Sequence, residues 1–255
     1  MSKRLENKVA IITGAARGIG RVAAQLFAEE GACVVIADQD EAGGQAAAQM
    51  IRDSGGKALF QKTDLIDAVQ VERMVSAAVA AFGRLDILYN NAGINHFAQL
   101  ADTEEPDWDR VMAVNVKSVF MCSKFAIPEM RASGGGSIIN TGSAASLVGL
   151  RNLAVYTASK GAVLALTRNM ALDYAKDGIR VNALCPGVTA TEMTEKVIEA
   201  DPDPAAARAR FDRVIPRGQM AAPAEIARVA LFLASDESSY ITGAAIPADG
   251  GYTAE

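Results

Sequence analysis

Histidine is almost absent from this chain: His96 is the only one among 255 residues. A centre that needs several imidazoles is excluded, a Cys/His zinc site lacks ligands to draw on, and no metal is expected. A Ser-His-Asp triad would have to be built on that single residue. Cysteine is scarce as well. Cys33, Cys122 and Cys185 are odd in number and far apart, which argues against a disulfide scaffold and for a reducing compartment, so a cytoplasmic location is expected. No block of basic residues occurs, and a formal charge of −5 with a pI near 5.1 describes an acidic protein for which nucleic acid is not an expected partner. Apolar runs are interrupted by Gly, Thr or charge before they reach membrane-spanning length, so no membrane partner is expected either. The segment from Met1 to Lys8 is basic in part but has no apolar stretch of the kind a secretory signal needs.

Hydrophobic residues are plentiful, at 50% of the chain. They fall into short β-branched runs that alternate with long Ala-rich stretches. Strands are expected at 8–13, 33–38, 58–63, 85–90, 136–141, 179–185 and 244–247. Helices are expected at 18–30, 41–54, 68–82, 108–131, 156–175 and 223–233. Strands alternating with helices of this length imply βαβ units, and hence a parallel sheet covered on both faces. No linker, repeat or low-complexity tract divides the chain, so one domain is expected over 1–255. The exception is 191–216, a polar excursion after a strand end that contains Asp201-Pro202-Asp203-Pro204. Such an excursion reads as a lid over a site.

The turn after the first strand reads Thr13-Gly14-Ala15-Ala16-Arg17-Gly18-Ile19-Gly20. Glycines allow a tight turn and a close approach of pyrophosphate to the main chain, and the next helix offers unpaired N–H groups and the positive end of its dipole. Asp38 closes the second strand about 20 residues after Gly18, the separation expected of a carboxylate that binds the adenosine ribose. It would accept hydrogen bonds from a 2′-hydroxyl and repel a 2′-phosphate, which favours NAD over NADP. Arg17 pulls the other way, because a guanidinium at that place could pair with the phosphate.

Tyr156 and Lys160 stand four residues apart in a helical stretch. That places them about 40° apart around the axis and about 6 Å along it, on one wall. A fixed cation can lower an acid's pKa by roughly 1–3 units, which would bring a phenol towards the range of a working proton donor and acceptor.

These features occur together with Asn90-Asn91-Ala92-Gly93 after the fourth strand, Asn115 in the next helix, Ser143 after the fifth strand, Pro186-Gly187 and Thr191 after the sixth, and Asp249-Gly250-Gly251 near the end. The glycine spacing is G-x-x-x-G-x-G. Over nearly its whole length the chain resembles the short-chain dehydrogenase/reductase family. The resemblance implies a Rossmann-type doubly wound α/β fold of about seven strands and a catalytic tetrad of Asn115, Ser143, Tyr156 and Lys160. In it Tyr156 exchanges the proton with the substrate oxygen and Ser143 holds that oxygen. Lys160 binds the nicotinamide ribose and tunes Tyr156, and Asn115 anchors a water that extends the relay. It further implies cofactor contacts from Gly14, Arg17, Gly18, Ile19 and Gly20, from Asp64 and Leu65 at the adenine, and from Asn91, Ala92 and Gly93 at the ribose side. Pro186, Gly187, Thr189 and Thr191 complete the set at the carboxamide. The implied activity is NAD(H)-dependent interconversion of a secondary alcohol and a ketone. Polar candidates for substrate contact are Asn95, His96, Ser143, Arg151 and Asn152. A 3-oxoacyl-thioester reductase, a nucleotide sensor without turnover, and an epimerase or dehydratase are the alternatives. A homotetramer, with subunit contacts on 108–131 and 156–175, is also what the resemblance implies.

Overall fold

The computed structural model describes residues 3–254. Met1, Ser2 and Glu255, which the expected domain includes, lie outside the described residues. Strands β1 (Val9–Thr13), β2 (Cys33–Asp38), β3 (Lys57–Lys62), β4 (Ile87–Asn90), β5 (Gly136–Thr141), β6 (Ile179–Pro186) and β7 (Ala245–Ala248) form one sheet in the order β3-β2-β1-β4-β5-β6-β7. Every pairing is parallel. Chain direction across the sheet reverses between β1 and β4, so the carboxyl ends of these strands open a crevice there, which is where ligands bind in doubly wound sheets.

Burial on both faces explains why the strands read as unbroken apolar runs. Ala10, Ile12, Val34 and Ile36 point to one face, and Ile11, Val35 and Ala37 to the other. The first face is covered by α1 (Gly18–Glu29), α2 (Glu41–Asp53) and α9 (Pro223–Ala234). The second is covered by α3 (Ala68–Phe82), α5 (Ser118–Ala132) and α6 (Ala154–Tyr174). The sheet's amino-terminal edge is braced by Asp86, a buried carboxylate that accepts from the Val9 N–H at 2.9 Å and from Arg84 at 2.6 and 2.8 Å.

Two regions depart from expectation. The long helix after β4 is α4 (Glu105–Met112) continuing into α5 through a wide turn, Ala113–Lys117, in which the Ser118 N–H reaches back five residues to the Ala113 carbonyl. The helical period of the sequence runs on through this turn, so periodicity gives no sign of it. Such wide turns are frequent at functional sites, and Asn115 sits in this one. The excursion 191–216 is helical. Thr191 caps α7 (Glu192–Glu199), and Asp203 caps α8 (Pro204–Arg213) by accepting from the Ala206 N–H at 3.0 Å. Pro204 reads as a breaker in isolation, yet at the first position of a helix it loses no hydrogen bond. Ile198, Ala207, Ile215 and Met220 form a small core beneath the pair, and Arg208–Glu195 and Arg210–Asp201 ion pairs join its outer side.

Candidate active site

The crevice is walled by the turn between β1 and α1. Gly14 and Gly18 hold left-handed backbone at φ +63° and +57°, which side chains disfavour. A Cβ on Gly14 would lie 2.9 Å from the Ala92 Cα, and one on Gly20 would lie 2.4 Å from the Gly14 carbonyl oxygen. The turn is braced from below. Thr13 Oγ1 accepts from the Asn91 and Ala92 N–H groups at 3.0 and 3.1 Å, and Asn91 Nδ2 donates to the Thr13 and Gly14 carbonyls at 3.0 and 3.1 Å. The Asn91 N–H groups are thus spent on the glycine turn, and Ala92 and Gly93 follow directly beside it. Sequence gives no sign of the part Thr13 plays; a strand-terminal threonine carries no signal of its own.

At the far end of the crevice, Asp38 Oδ2 accepts from the Ala16 N–H at 2.9 Å and Oδ1 accepts from the Asp40 N–H at 3.0 Å. Arg17 forms an ion pair with Asp40. Asp64 comes just after β3 and accepts from Gln39 Nε2 at 3.0 Å, while Leu65 is buried in the core behind it. On the opposite side Pro186 and Gly187 end β6. A Cβ on Gly187 would lie 2.7 Å from the Asp249 Cα, so glycine is needed where the two chain segments cross. Thr189 pairs with Ala221, and Thr191 caps α7 directly across from Gly18: the atoms nearest a Gly18 Cβ would be in the Thr191 and Glu192 side chains, at 3.6 Å or more.

The four tetrad residues converge between these walls. Lys160, buried on α6, donates from Nζ to the Thr141 carbonyl at 2.8 Å and lies 5.6 Å from the centre of the Tyr156 ring one turn earlier. Its remaining N–H donors face the cleft beside Gly93, whose Cβ, were there one, would be 3.4 Å from Nζ and 3.3 Å from Asn115 Oδ1. Asn115 Oδ1 accepts from the Ile94 N–H at 2.8 Å, and its Nδ2 donates to the Ile94 carbonyl and to Ser159 Oγ, both at 3.0 Å. Its amide therefore ties β4's exit loop to α6. Ser143 caps a short turn through Oγ, which accepts from the Ala145 N–H at 3.1 Å, and its own N–H donates to Ser146 Oγ at 3.1 Å. Ser146 and Ser159 brace the tetrad without belonging to its motif.

One expectation is corrected. The nearby Lys160 ammonium does not bring the Tyr156 phenol below its ordinary value. Burial pushes that phenol above its ordinary value, and hydrogen bonding to Ser143 offsets part of the rise. The ammonium is itself pushed down to about 8 by burial. Its hydrogen bond to Thr141 aims it at a carbonyl, which spacing along a helix cannot reveal.

The substrate candidates divide. The parallel bridge between Ala98 and Leu153 brings the 94–98 segment, with Asn95 and His96, against the entrance to α6. His96 Nδ1 stands 3.9 Å from Asp107 on α4. Arg151 and Asn152 are exposed, and Asn152 takes left-handed backbone at φ +58° to turn the chain into α6. Arg151 makes no ion pair among the described residues. Among the described residues there is also no His/Cys/Asp/Glu group able to hold a metal ion.

The residues present fit a nicotinamide dinucleotide. Glycine backbone without Cβ atoms after β1, a carboxylate at the end of β2 and a buried ammonium with spare donors all lie at the carboxyl edge of the sheet. Comparison with known proteins agrees. The family model described as enoyl-(acyl carrier protein) reductase matches residues 14–253. The chain is 43% identical to the meso-2,3-butanediol dehydrogenase of Serratia marcescens, over 98% of this chain and 96% of that one. It is 41% identical to the cyclopentanol dehydrogenase of a Comamonas species, over 98% and 99%. The crystal structure of levodione reductase superposes with a TM-score of 0.95 at 35% identity, covering 98% of this chain and 99% of that one.

Proposed function

Since the chain belongs to the short-chain dehydrogenase/reductase family, oxidoreductases that use nicotinamide cofactors, we propose that it interconverts a secondary alcohol and a ketone with NAD(H), using Tyr156 as general acid/base. The observation that carries this reading is the convergence of Tyr156, Ser143, Lys160 and Asn115 at the carboxyl edge of the sheet. A bound nicotinamide would accept or supply the hydride. The chain's own residues hold the substrate oxygen and move its proton. Tyr156 donates its phenolic proton to a carbonyl oxygen in reduction and takes it back in oxidation. Ser143 donates a hydrogen bond to the same oxygen and fixes its distance from the ring face. Lys160 offers its free N–H donors to ribose hydroxyls and its charge to the proton transfer. Asn115 holds the wall against which Lys160 is placed, and a water relay starting there completes the proton path. Asp38 supports NAD, because its carboxylate suits a ribose hydroxyl and repels a phosphate.

The relatives that act on butanediol, cyclopentanol and levodione support a small secondary alcohol or ketone as substrate, admitted beneath α7 and α8 acting as a lid. A cytoplasmic homotetramer packed through 108–131 and 156–175 is part of the same proposal. Exposed Phe120 and Leu172 on these helices support it. A panel of secondary alcohols with NAD⁺, monitored by NADH absorbance, tests the whole. Net NADH on a small or cyclic alcohol is the expected result; none on any member would point to a nucleotide sensor or a cofactor-recycling epimerase.

The two shifts also set a pH profile. The phenol, raised by burial, is protonated at neutral pH and ready to serve ketone reduction. Lys160 loses its charge as pH rises through about 8, and the phenol then becomes a still weaker acid. The kcat/KM for ketone reduction therefore descends above about pH 8. A profile flat to strongly alkaline pH would remove the Lys160 charge from the mechanism.

A further inference from the structure

Asp40 stands two residues beyond the ribose carboxylate and belongs to no motif of the site. It holds three neighbours at once. Its Oδ1 accepts from the Gly43 N–H at 3.0 Å and so caps α2, its own N–H donates to Asp38 Oδ1, and its Oδ2 pairs with Arg17. Gly43 is needed for this packing, since a Cβ there would lie 2.6 Å from Asp40 Oδ2 and 3.2 Å from the Ala16 Cβ. Arg17 is therefore drawn onto an acceptor that the helix start has already fixed, on the patch where Ala16 meets Asp38. This is the place a 2′-phosphate would occupy if Asp38 receives the 2′-hydroxyl. Two cations are paired beside this patch, Arg17 with Asp40 and Lys62 with Glu41; of the two only Arg17 carries a guanidinium. The Asp40 carboxyl sits below its ordinary range through the Gly43 N–H and then Arg17, so it is charged at neutral pH.

We infer that Asp40 is a specificity-determining residue: by engaging Arg17 it withholds from NADP the one guanidinium able to pair with its 2′-phosphate. The inference rests on the reading of the crevice as an NAD site with Asp38 at the ribose. Asp38 discriminates by repulsion; Asp40 discriminates by keeping an attractive partner occupied, which is the other half of a specificity difference. An exposed ion pair is weak, and a guanidinium–phosphate pair is charge-assisted and bidentate. Freed of Asp40, Arg17 has the stronger partner to turn to.

The test is Asp40→Asn. Asparagine caps a helix as well as aspartate, so α2 keeps its cap and the unfolding midpoint should stay in place. Dissociation constants for NADH and NADPH are read by titration with the free enzyme, which needs no substrate. The expected result is tighter NADPH binding in D40N by roughly five- to tenfold, fading as salt is raised. In an Arg17→Ala background the same substitution should yield no such gain. An equal gain with and without Arg17 would overturn the inference, because Asp40 would then act by repulsion alone. So would unchanged NADPH affinity in D40N at low salt. If the unmodified protein itself prefers NADPH, the reading of the site as NAD-selective falls as well; if it prefers NADH and D40N changes nothing, the inference fails and that reading stands.

Discussion

Tyr156→Phe lowers kcat by roughly a thousandfold and leaves NADH binding little changed. The ring stays and continues to fill its place beside Lys160; only the proton is lost. General acid–base catalysis contributes typically about 10²–10⁴-fold, and the upper part of that range applies because no other titratable hydroxyl stands in the tetrad. Ser143 does not titrate in this range, and its Oγ already accepts from the Ala145 N–H. Single-turnover rates with saturating NADH and a ketone read the chemical step directly. Retained turnover would take Tyr156 out of the mechanism, whereas lost NADH affinity would make the residue structural.

Gly20→Ala acts on the other half of the site. The new methyl would lie 2.4 Å from the Gly14 carbonyl oxygen and 2.6 Å from Asn91 Nδ2. Both are fixed: Gly14 by its N–H bond to the Ala37 carbonyl and by its left-handed backbone, Asn91 by two bonds to the turn. Neither atom is the free end of a flexible side chain, so the turn itself must shift. Overpacking of this kind costs about 1–3 kcal/mol of stability. The N–H donors at the start of α1 are displaced with it. Losing one or two hydrogen bonds to a charged phosphate costs about 3 kcal/mol, or roughly a hundredfold in NADH affinity. Calorimetric titration together with a thermal melt checks both effects. Unaltered affinity would place the dinucleotide elsewhere than over this turn.

Much of this arrangement is legible from residue order. Strands buried on both faces announce themselves as apolar runs, and Gly14, Gly18 and Asp38 at element ends, with Tyr156 and Lys160 in the first two turns of α6, stand at separations that spacing alone can count. What spacing cannot count stays hidden. The helices α7 and α8 are masked by Pro202, Pro204 and a polar composition, because their small core is shared with Ile215 and Met220 further along the chain. The direction of the Lys160 ammonium depends on the Thr141 carbonyl on a neighbouring strand. The role of Asn91 as a brace depends on Thr13, which is 78 residues away. The partnership of Arg17 with Asp40 is a meeting of two loop ends, and Asp40 in the sequence looks like an ordinary helix cap. Local chemistry is readable; chemistry created by long-range contact is not.

The five-residue turn at Ala113–Lys117 has a consequence for how this chain can change. It gives the segment from Glu105 to Ala132 one amino acid more than a regular spiral of that height would hold. Deleting a single position there would restore the ordinary winding and swing everything upstream by about 100° relative to the remainder of the segment. Asn115 would then face away from Ile94 and Ser159, and Val111 would leave its buried seat. Loops at the molecule's rim can lengthen or shorten freely; here the count of residues itself decides which way Asn115 faces.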